Sequence, residues 1–377
     1  MRRDMVDTTV DAIATTMSAA VYHGPRDVRL EQRAVPAPGP GEVLVRVTAA
    51  GICGTDSAEW AHGPLLVPHD ESGLVEPLVL GHEFVGTVAA LGDGVELPVG
   101  STVVCGAGIS CGTCVMCRAG RTNLCRSYHS LGLQDDGALA QYVVAPAEIL
   151  YDVSDLGLSD DTLAMAQPMA VAVHAVRRSG LHAGQDAVVV GVGGIGAFLT
   201  HVAASTGARV LALDLDPDRL DLATRLGATD TVQASDRPLV EILAELGYEP
   251  EVFFEVSGSR RGLDSVLAAA QPGAVIVPVG LQKLPLELDL SRFTLGELTL
   301  VGTVAHVFRN DIPEAVRLLA ARAATDGWDD IASLVLPLRD LVQEGLEPLA
   351  DGSSPQIKTL VDPWIDRARP ADHALTA

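Results

Sequence analysis

A glycine pattern in the middle of the chain places the strongest constraint on the fold. Gly191, Gly193, Gly194, Ile195 and Gly196 belong to a Gly-Val-Gly-Gly-Ile-Gly turn between an apolar, strand-like run and a segment with helical spacing. Glycines in that context let the backbone turn tightly and approach a pyrophosphate, whose charge the free N–H groups at the helix start can meet. The pattern predicts a dinucleotide cradle, although a glycine turn in an unrelated α/β protein has the same appearance.

Asp214 ends the next apolar run, 23 residues after Gly191. A carboxylate there can accept both ribose hydroxyls of NAD and would repel the 2′-phosphate of NADP, so we expect NAD as the cofactor. Arg209 and Arg219 flank Asp214 and could weaken the preference for NAD over NADP, or they could be solvated surface residues. We keep Arg219 as a candidate cofactor-binding residue.

The region around the cradle alternates apolar runs with helical segments. Residues 169–179 have helical spacing, and strand-like runs follow at 186–190, 208–214, 252–256 and 274–279. This alternation predicts a Rossmann domain over residues 167–305, with a doubly wound parallel sheet. Because one hydrophobic core stops growing near roughly 250–300 residues, a chain of 377 residues is expected to contain a second domain.

The residues before the cradle show a different pattern, with short strand-like runs and no long helices. Between residues 17 and 166, short β-rich runs broken by glycine and proline lie at 43–47, 85–90, 102–104 and 140–144. Without long helices between them, they predict an all-β, barrel-like domain. We expect residues 1–16 to be a disordered leader. We also expect residues 306–377 to return to the β-rich domain through a helix at 312–324 and a strand at 357–361, ending in a loose tail of about a dozen residues.

The charge balance excludes several classes of partner. The chain has 26 Lys and Arg residues against 49 Asp and Glu residues, a net charge of −23, so its field repels nucleic-acid phosphates and anionic lipid surfaces. It contains no uninterrupted apolar run long enough to span a membrane. Its first residues lack the apolar core of a secretory signal, and we therefore expect a cytoplasmic protein.

Four of the six cysteines lie within 15 residues, namely Cys111, Cys114, Cys117 and Cys125. Such tight spacing in a chain of this size points to metal rather than to a disulfide scaffold. Four soft ligands can close a tetrahedral zinc site with no open position, and the zinc would then be structural. An iron–sulfur cluster also uses four cysteines and is the competing interpretation.

A second metal site is indicated by Cys53, in the turn at 51–56, and by His82, in the turn at 81–86. A thiolate and an imidazole are a common basis for catalytic zinc, which keeps one position open for substrate. A lone cysteine or histidine is usually structural, so the pair carries weight only in combination with the other motifs.

In combination these motifs resemble the zinc-containing medium-chain alcohol and polyol dehydrogenases over about residues 17–363. The matching residues are Gly-Ile-Cys-Gly-Thr-Asp at 51–56, Gly-His-Glu-Phe-Val-Gly at 81–86, the four-cysteine lobe, and the glycine turn with Asp214. Residues 63–68 and 171–176 look most like the 2,3-butanediol and sorbitol dehydrogenase branch. The resemblance implies a GroES-like catalytic domain, a Rossmann domain, a cleft between them, and a homodimer or homotetramer.

The resemblance also implies roles for individual residues. Cys53 and His82 would bind the catalytic zinc, and Glu83 would support or transiently ligate it. Thr55 would take the proton from the alcohol, while zinc polarises the substrate oxygen and hydride passes to NAD.

Two positions depart from the family pattern. Gln167 stands where the polyol branch has a zinc-binding Glu, and with Cys53 as the only anionic ligand the centre would be near +1 unless Glu83 moves in. We hypothesise that this biases the centre toward carbonyl reduction. A Gln167→Glu variant with unchanged zinc affinity and an unchanged pH–rate profile would contradict the idea. Ala58 replaces a histidine that relays the proton, a task that solvent, the ribose hydroxyls, His62 or His69 could take over.

The sequence thus predicts an NAD-dependent zinc dehydrogenase of secondary alcohols, diols or polyols. A dehydrogenase of a larger cyclitol or natural-product alcohol is the rival within enzymes, because loop shape decides the substrate. A catalytically weak NAD-binding protein with an empty metal centre is the rival from another class, and it would hold one zinc per chain instead of two.

Overall fold

Strands and short turns dominate residues 13–152. The computed structural model describes residues 13–282 and 284–375, so most of the expected leader lies outside the described residues; the first strand begins at Thr16. The elements of this region are β1 (Thr16–Gly24), β2 (Asp27–Ala34), β3 (Glu42–Gly51), α1 (Gly54–His62), β4 (Leu78–Val79), β5 (Glu83–Leu91), β6 (Thr102–Cys105), β7 (Gly108–Ile109), α2 (Val115–Arg118), β8 (His129–Ser130), β9 (Tyr142–Pro146) and β10 (Leu150–Asp152).

The second region alternates strands and helices, as its sequence predicts. Its elements are α3 (Asp160–Leu163), α4 (Ala166–Ser179), β11 (Asp186–Val190), α5 (Gly194–Ser205), β12 (Arg209–Asp214), α6 (Pro217–Arg225), β13 (Asp230–Gln233), α7 (Leu239–Leu246), β14 (Val252–Glu255), α8 (Arg260–Ala269), β15 (Val275–Pro278), α9 (Leu290–Gly296) and β16 (Thr299–Leu300). The strands are all parallel, in the order β13-β12-β11-β14-β15-β16. Apolar residues line both faces of the central strands because helices cover the sheet on both sides.

This sheet is a doubly wound Rossmann sheet, which confirms the α/β prediction. The strand order reverses between β11 and β14. Ligands of such sheets bind in the crevice outside the carboxyl ends of the strands at this reversal. The glycine turn follows β11 directly, so the fold places it at that crevice.

The last part of the chain contains α10 (Phe308–Ala323), β17 (Leu334–Pro337), α11 (Glu347–Asp351), β18 (Leu360–Asp362) and β19 (Arg369–Pro370). β18 pairs with β3 and with β17, so it enters the sheet whose order is β10-β6-β5-β3-β18-β17-β19. β9 pairs with the other end of β3. The sheet thus joins segments more than 300 residues apart, with β3 between β5 and β18.

The loose tail expected at the end of the chain is wrong for its described residues. β19 pairs with β17, and the Arg369 guanidinium donates to both carboxylate oxygens of Asp161. The His373 ring is buried and makes hydrogen bonds with Thr162 Oγ1 and with the Ala332 carbonyl. Arg369 and His373 are therefore paired with other parts of the chain.

Candidate functional site

The turn that follows β3 holds Cys53 at the head of α1. Cys53 is the N-cap residue of this helix, and its backbone N–H donates to Asp56 Oδ2 at 2.9 Å. Its Sγ lies 3.7 Å from Thr55 Oγ1, and both side chains are half-buried. The cap therefore fixes the thiol next to the hydroxyl that the resemblance assigns to proton transfer.

His82 and Glu83 reach the same point from the start of β5. Antiparallel pairing of β3 with β5 sets Gly51 opposite Glu83. One ligand atom each from Cys53, His82 and Glu83 lies within 4.8 Å of the others. A thiolate, an imidazole and a carboxylate form a donor set that suits catalytic zinc.

Gly51 is required by this close approach of the strands. A Cβ atom at Gly51 would lie 2.3 Å from Glu83 Oε2. Any side chain there would push Glu83 away from Cys53, so the glycine before the cysteine is part of the site's geometry.

Asp56 lies beside His82, although the sequence analysis gave it no role. Its carboxylate is fully buried, and Oδ1 lies 3.5 Å from His82 Nδ1. Burial alone would lower the pKa of His82, but the negative charges of Asp56 and Cys53 outweigh it and raise this pKa well above its usual value. The surroundings of His82 thus favour positive charge, which suits a cation beside Cys53. The signal for Asp56 was its position three residues after a helix N-cap.

Lys358 is the second missed residue. Its Nζ donates to Glu83 Oε2 at 2.7 Å and to the Ile52 carbonyl at 3.0 Å. Both side chains of the ion pair are buried, with exposures of 6% for Lys358 and 1% for Glu83. Burial opposes the ammonium charge, but the nearby Glu83 and Cys53 raise the pKa of Lys358. Its signal in the sequence was a lysine within the apolar run at 357–361.

Gln167 lies half-buried in the first turn of α4, and this helix packs against β5. Ala58 is half-buried within α1, while His62 at the end of the same helix is exposed, as is His69. The roles given to Gln167 and to the substitutes for the relay remain predictions.

The four-cysteine lobe forms a separate cluster. The Sγ atoms of Cys111, Cys114, Cys117 and Cys125 lie within 4.8 Å of one another. Backbone N–H groups point at the sulfurs, including Cys114 N to Cys111 Sγ at 3.3 Å and Cys111 N to Cys125 Sγ at 3.2 Å. Hydrogen bonds, first of all from the Thr113 backbone, lower the pKa of Cys111 to about 6. Burial instead raises the pKa of Cys117 to about 11, so the lobe favours the thiolate, the form of cysteine that binds metal, at Cys111 but not at every cysteine.

The glycine turn has the geometry of a nucleotide cradle. Gly193 is the N-cap of α5, and a Cβ atom at Gly196 would lie 2.0 Å from the Gly191 carbonyl oxygen. Only glycine lets α5 approach the turn so closely, which directs the N-terminus of α5 at the crevice. Asp214, the last residue of β12, accepts the Val192 N–H at Oδ2 (2.7 Å) and the Asp216 N–H at Oδ1 (3.0 Å). These bonds fix its carboxylate beside the turn.

A cavity of about 410 Å³ opens between this turn and the ends of β12 and β14. Gly191, Gly193 and Asp214 lie on its wall together with three arginines, Arg219, Arg237 and Arg261. The Arg219 guanidinium lies close to the turn, 3.7 Å from where a Cβ atom would stand if Gly193 had one. The sequence had indicated only Arg219, because Arg237 comes from the loop after β13 and Arg261 from the first turn of α8. The cavity suits the adenosine and phosphate end of a dinucleotide.

Two known families match the two regions of the chain. The family described as "Alcohol dehydrogenase GroES-like domain" matches residues 39–155. The family described as "Zinc-binding dehydrogenase" matches residues 194–321. Together the matches contain Cys53, His82, Glu83, the cysteine lobe and Asp214.

Three individual proteins show the same similarity. Sorbitol dehydrogenase from Bacillus subtilis (strain 168) is 30% identical over 82% of this chain and 87% of its own length. Erythritol/L-threitol dehydrogenase from Mycolicibacterium smegmatis is 33% identical over 89% of this chain and 95% of its own. The crystal structure of 2R,3R-butanediol dehydrogenase from Bacillus subtilis superposes with a TM-score of 0.82 at 32% identity, covering 92% of this chain and 99% of that one.

Proposed function

Because this chain belongs to the zinc-containing medium-chain alcohol and polyol dehydrogenase family, we propose that it transfers hydride between NAD(H) and a secondary alcohol, diol or polyol. The observation that carries the proposal is the convergence of Cys53, His82 and Glu83 within 4.8 Å in a chain that also has a nucleotide cradle. The preferred substrate class is a vicinal diol or small polyol, as the names of the relatives suggest.

The protein's residues divide the work of this reaction. Cys53 and His82 would hold the catalytic zinc with Glu83 beside them, and the bound metal would supply Lewis-acid polarisation of the substrate oxygen. Thr55 Oγ1 accepts the alcohol proton and releases it to solvent, since Ala58 offers no relay of its own. Asp56 orients the His82 imidazole, as a carboxylate behind a metal-bound histidine commonly does.

NAD is the proposed cofactor because of Asp214. Its buried carboxylate, held by the N–H groups of Val192 and Asp216, can accept the ribose hydroxyls. The N-terminus of α5 and the Arg219 guanidinium meet the pyrophosphate charge. The cysteine lobe would hold the second, structural zinc.

A substrate panel tests the proposal. Zinc-replete protein is assayed for NADH formation on the stereoisomers of 2,3-butanediol, on sorbitol, on erythritol and on simple secondary alcohols, and for NADH loss with acetoin and matching ketones. We expect activity on the diols or polyols, with NAD preferred over NADP. Silence across the panel with two zincs bound contradicts the small-diol assignment and favours a bulkier substrate. Silence with one zinc favours a protein that only binds NAD.

We also propose that the chain forms a homo-oligomer through the β16 edge of the Rossmann sheet. Large apolar side chains cluster in the segment from 281 to 304, with exposures of 91% for Leu281, 78% for Leu284, 86% for Leu295 and 43% for Leu300. Among residues 13–282 and 284–375, β16 pairs only with β15, so its other edge could pair with a second copy. An isologous contact across a twofold axis would cover both the edge and the apolar surface.

A Leu295→Glu variant tests this interface. We expect the charge to weaken the dimer by at least about tenfold in Kd, because it would be buried against an apolar surface, and we expect each subunit to remain folded. Sedimentation velocity over a concentration series measures the change. Leu74→Glu, at a 68% exposed leucine outside this surface, is the matched control. A wild-type protein that is monomeric at all concentrations, or a Leu295→Glu variant that associates like the control, contradicts the proposal.

A further inference from the structure

The buried ammonium of Lys358 contacts two groups of the candidate zinc site, and both groups are far from Lys358 in the sequence. Glu83 Oε2 lies 275 residues from it and the Ile52 carbonyl lies 306 residues from it, yet both are within 3.0 Å of Nζ. The backbone supports the contact, because Ile52 N–H donates to the Thr359 carbonyl at 3.0 Å and Leu360 pairs with Gly51. Lys358 is therefore held in place by the sheet, between the turn that carries Cys53 and the strand that carries Glu83.

Lysine is rare in this chain, and Lys358 is one of two. The sequence contains 26 Lys and Arg residues, and only Lys283 and Lys358 among them are lysines. A compact ammonium can donate to a carbonyl and a carboxylate oxygen in a closed space, whereas a guanidinium needs a wider planar site. The residue here thus fits a narrow gap between Ile52 and Glu83.

Lys358 also changes the charge balance of the centre. Cys53, Asp56 and Glu83 contribute three formal negative charges and Lys358 one positive charge, a net of about −2 that matches a divalent cation. Counting Cys53 as the only anion had suggested a centre near +1. More importantly, the ammonium and a metal ion compete for the same carboxylate, since Glu83 belongs to the cluster of possible ligands.

We propose that Lys358 is a positioning residue that holds Glu83 Oε2 away from the catalytic zinc and so keeps a coordination position open for the substrate oxygen. This inference rests on the proposed function only in assuming a zinc ion at Cys53 and His82. Without the ammonium, Glu83 would be a buried anion that has lost its ion-pair partner, and a metal ion bound at Cys53 and His82 would neutralise it.

The test is a Lys358→Met variant studied with zinc and with cobalt(II) in the catalytic site. We expect the variant to keep two metal ions per chain and to release the catalytic zinc to a chromophoric chelator about tenfold to a hundredfold more slowly, because Glu83 becomes a permanent ligand. The visible absorption of the cobalt form should change with the added carboxylate, and kcat should fall. In Lys358→Met/Glu83→Gln, the cobalt spectrum and the release rate should return to those of Glu83→Gln.

Several outcomes would overturn the proposal. A Lys358→Met protein with the wild-type cobalt spectrum and zinc-release rate, or one that loses the catalytic zinc, shows that the lysine only stabilises the fold. If Lys358→Met does not fold, Lys358→Gln retains a donor without the charge and should change the spectrum and the release rate in the same direction. Arg369→Met is the matched control, because it breaks an ion pair with Asp161 in the same C-terminal segment.

The cobalt spectrum and the zinc-release rate distinguish failure of this inference from failure of the proposed function. The cobalt spectrum and the release rate need no substrate, so they can support or overturn the role of Lys358 even if every alcohol tested is inert. If the wild-type protein binds metal only at the cysteine lobe, the proposed function fails and the role of Lys358 fails with it.

Discussion

Replacing Cys53 with alanine is expected to lower turnover by at least about a thousandfold and to reduce bound zinc from two ions per chain to one. Polarisation of the substrate oxygen by a Lewis acid is worth several kcal/mol, and each loss of about 1.4 kcal/mol costs a factor of ten in rate. The variant removes the sulfur ligand while His82, Glu83 and the cysteine lobe stay in place.

Metal analysis and steady-state kinetics on one preparation measure both effects. Cys105→Ala is the matched control, since Cys105 is a fully buried thiol in β6 outside both clusters of possible ligands. We expect it to keep two zincs and its activity, with a modest loss of stability of about 1 kcal/mol. A Cys53→Ala protein that retains two zincs, or one that turns over like the control, shows that this cysteine is not a ligand.

Replacing Asp214 with asparagine is expected to shift the ratio of kcat/KM for NADP over NAD by on the order of a hundredfold, because juxtaposed like charges cost several kcal/mol. Asparagine has nearly the same shape and can still accept a backbone N–H. It removes the charge that would repel a 2′-phosphate, and Arg219, Arg237 and Arg261 on the cavity wall would attract one.

Kinetics with both cofactors test this prediction. Asp218→Asn removes the same charge from an exposed position in the first turn of α6 and should leave the ratio within about twofold, as expected of a solvent-screened charge. Adding Arg219→Ala to Asp214→Asn should reverse part of the gain with NADP. An Asp214→Asn enzyme with an unchanged ratio would mean that this carboxylate does not select the cofactor.

Local patterns predicted much of the fold. The four strand-like runs of the second region correspond to β11, β12, β14 and β15, and the helix expected at 169–179 is α4. α4 begins three residues earlier, at Ala166, because Pro168 falls in its first turn, where the missing N–H costs no hydrogen bond. The strand expected at 140–144 starts at Tyr142, a small shift of the kind that pairing with β3 decides.

The error at the end of the chain has a physical cause. Arg369 and His373 lie in a polar segment, but their side chains pair with Asp161, Thr162 and the Ala332 carbonyl. Composition shows that a segment is polar. It cannot show that Asp161 and Thr162, about 200 residues earlier, form hydrogen bonds with its side chains.

The sequence by itself determined the sites whose parts lie close together along the chain. Short spacings within the cysteine lobe and within the glycine turn fix the distances between their residues through backbone geometry. The four thiols and the backbone N–H groups of the turn could therefore be predicted from the sequence. Only the tertiary structure decided what surrounds Cys53 and His82. The register of β3 with β5 and of β18 with β3 brings Glu83 and Lys358 together, and packing buries them with Asp56. Contacts across such separations depend on which strands pair and in which register, and no local pattern carries that information.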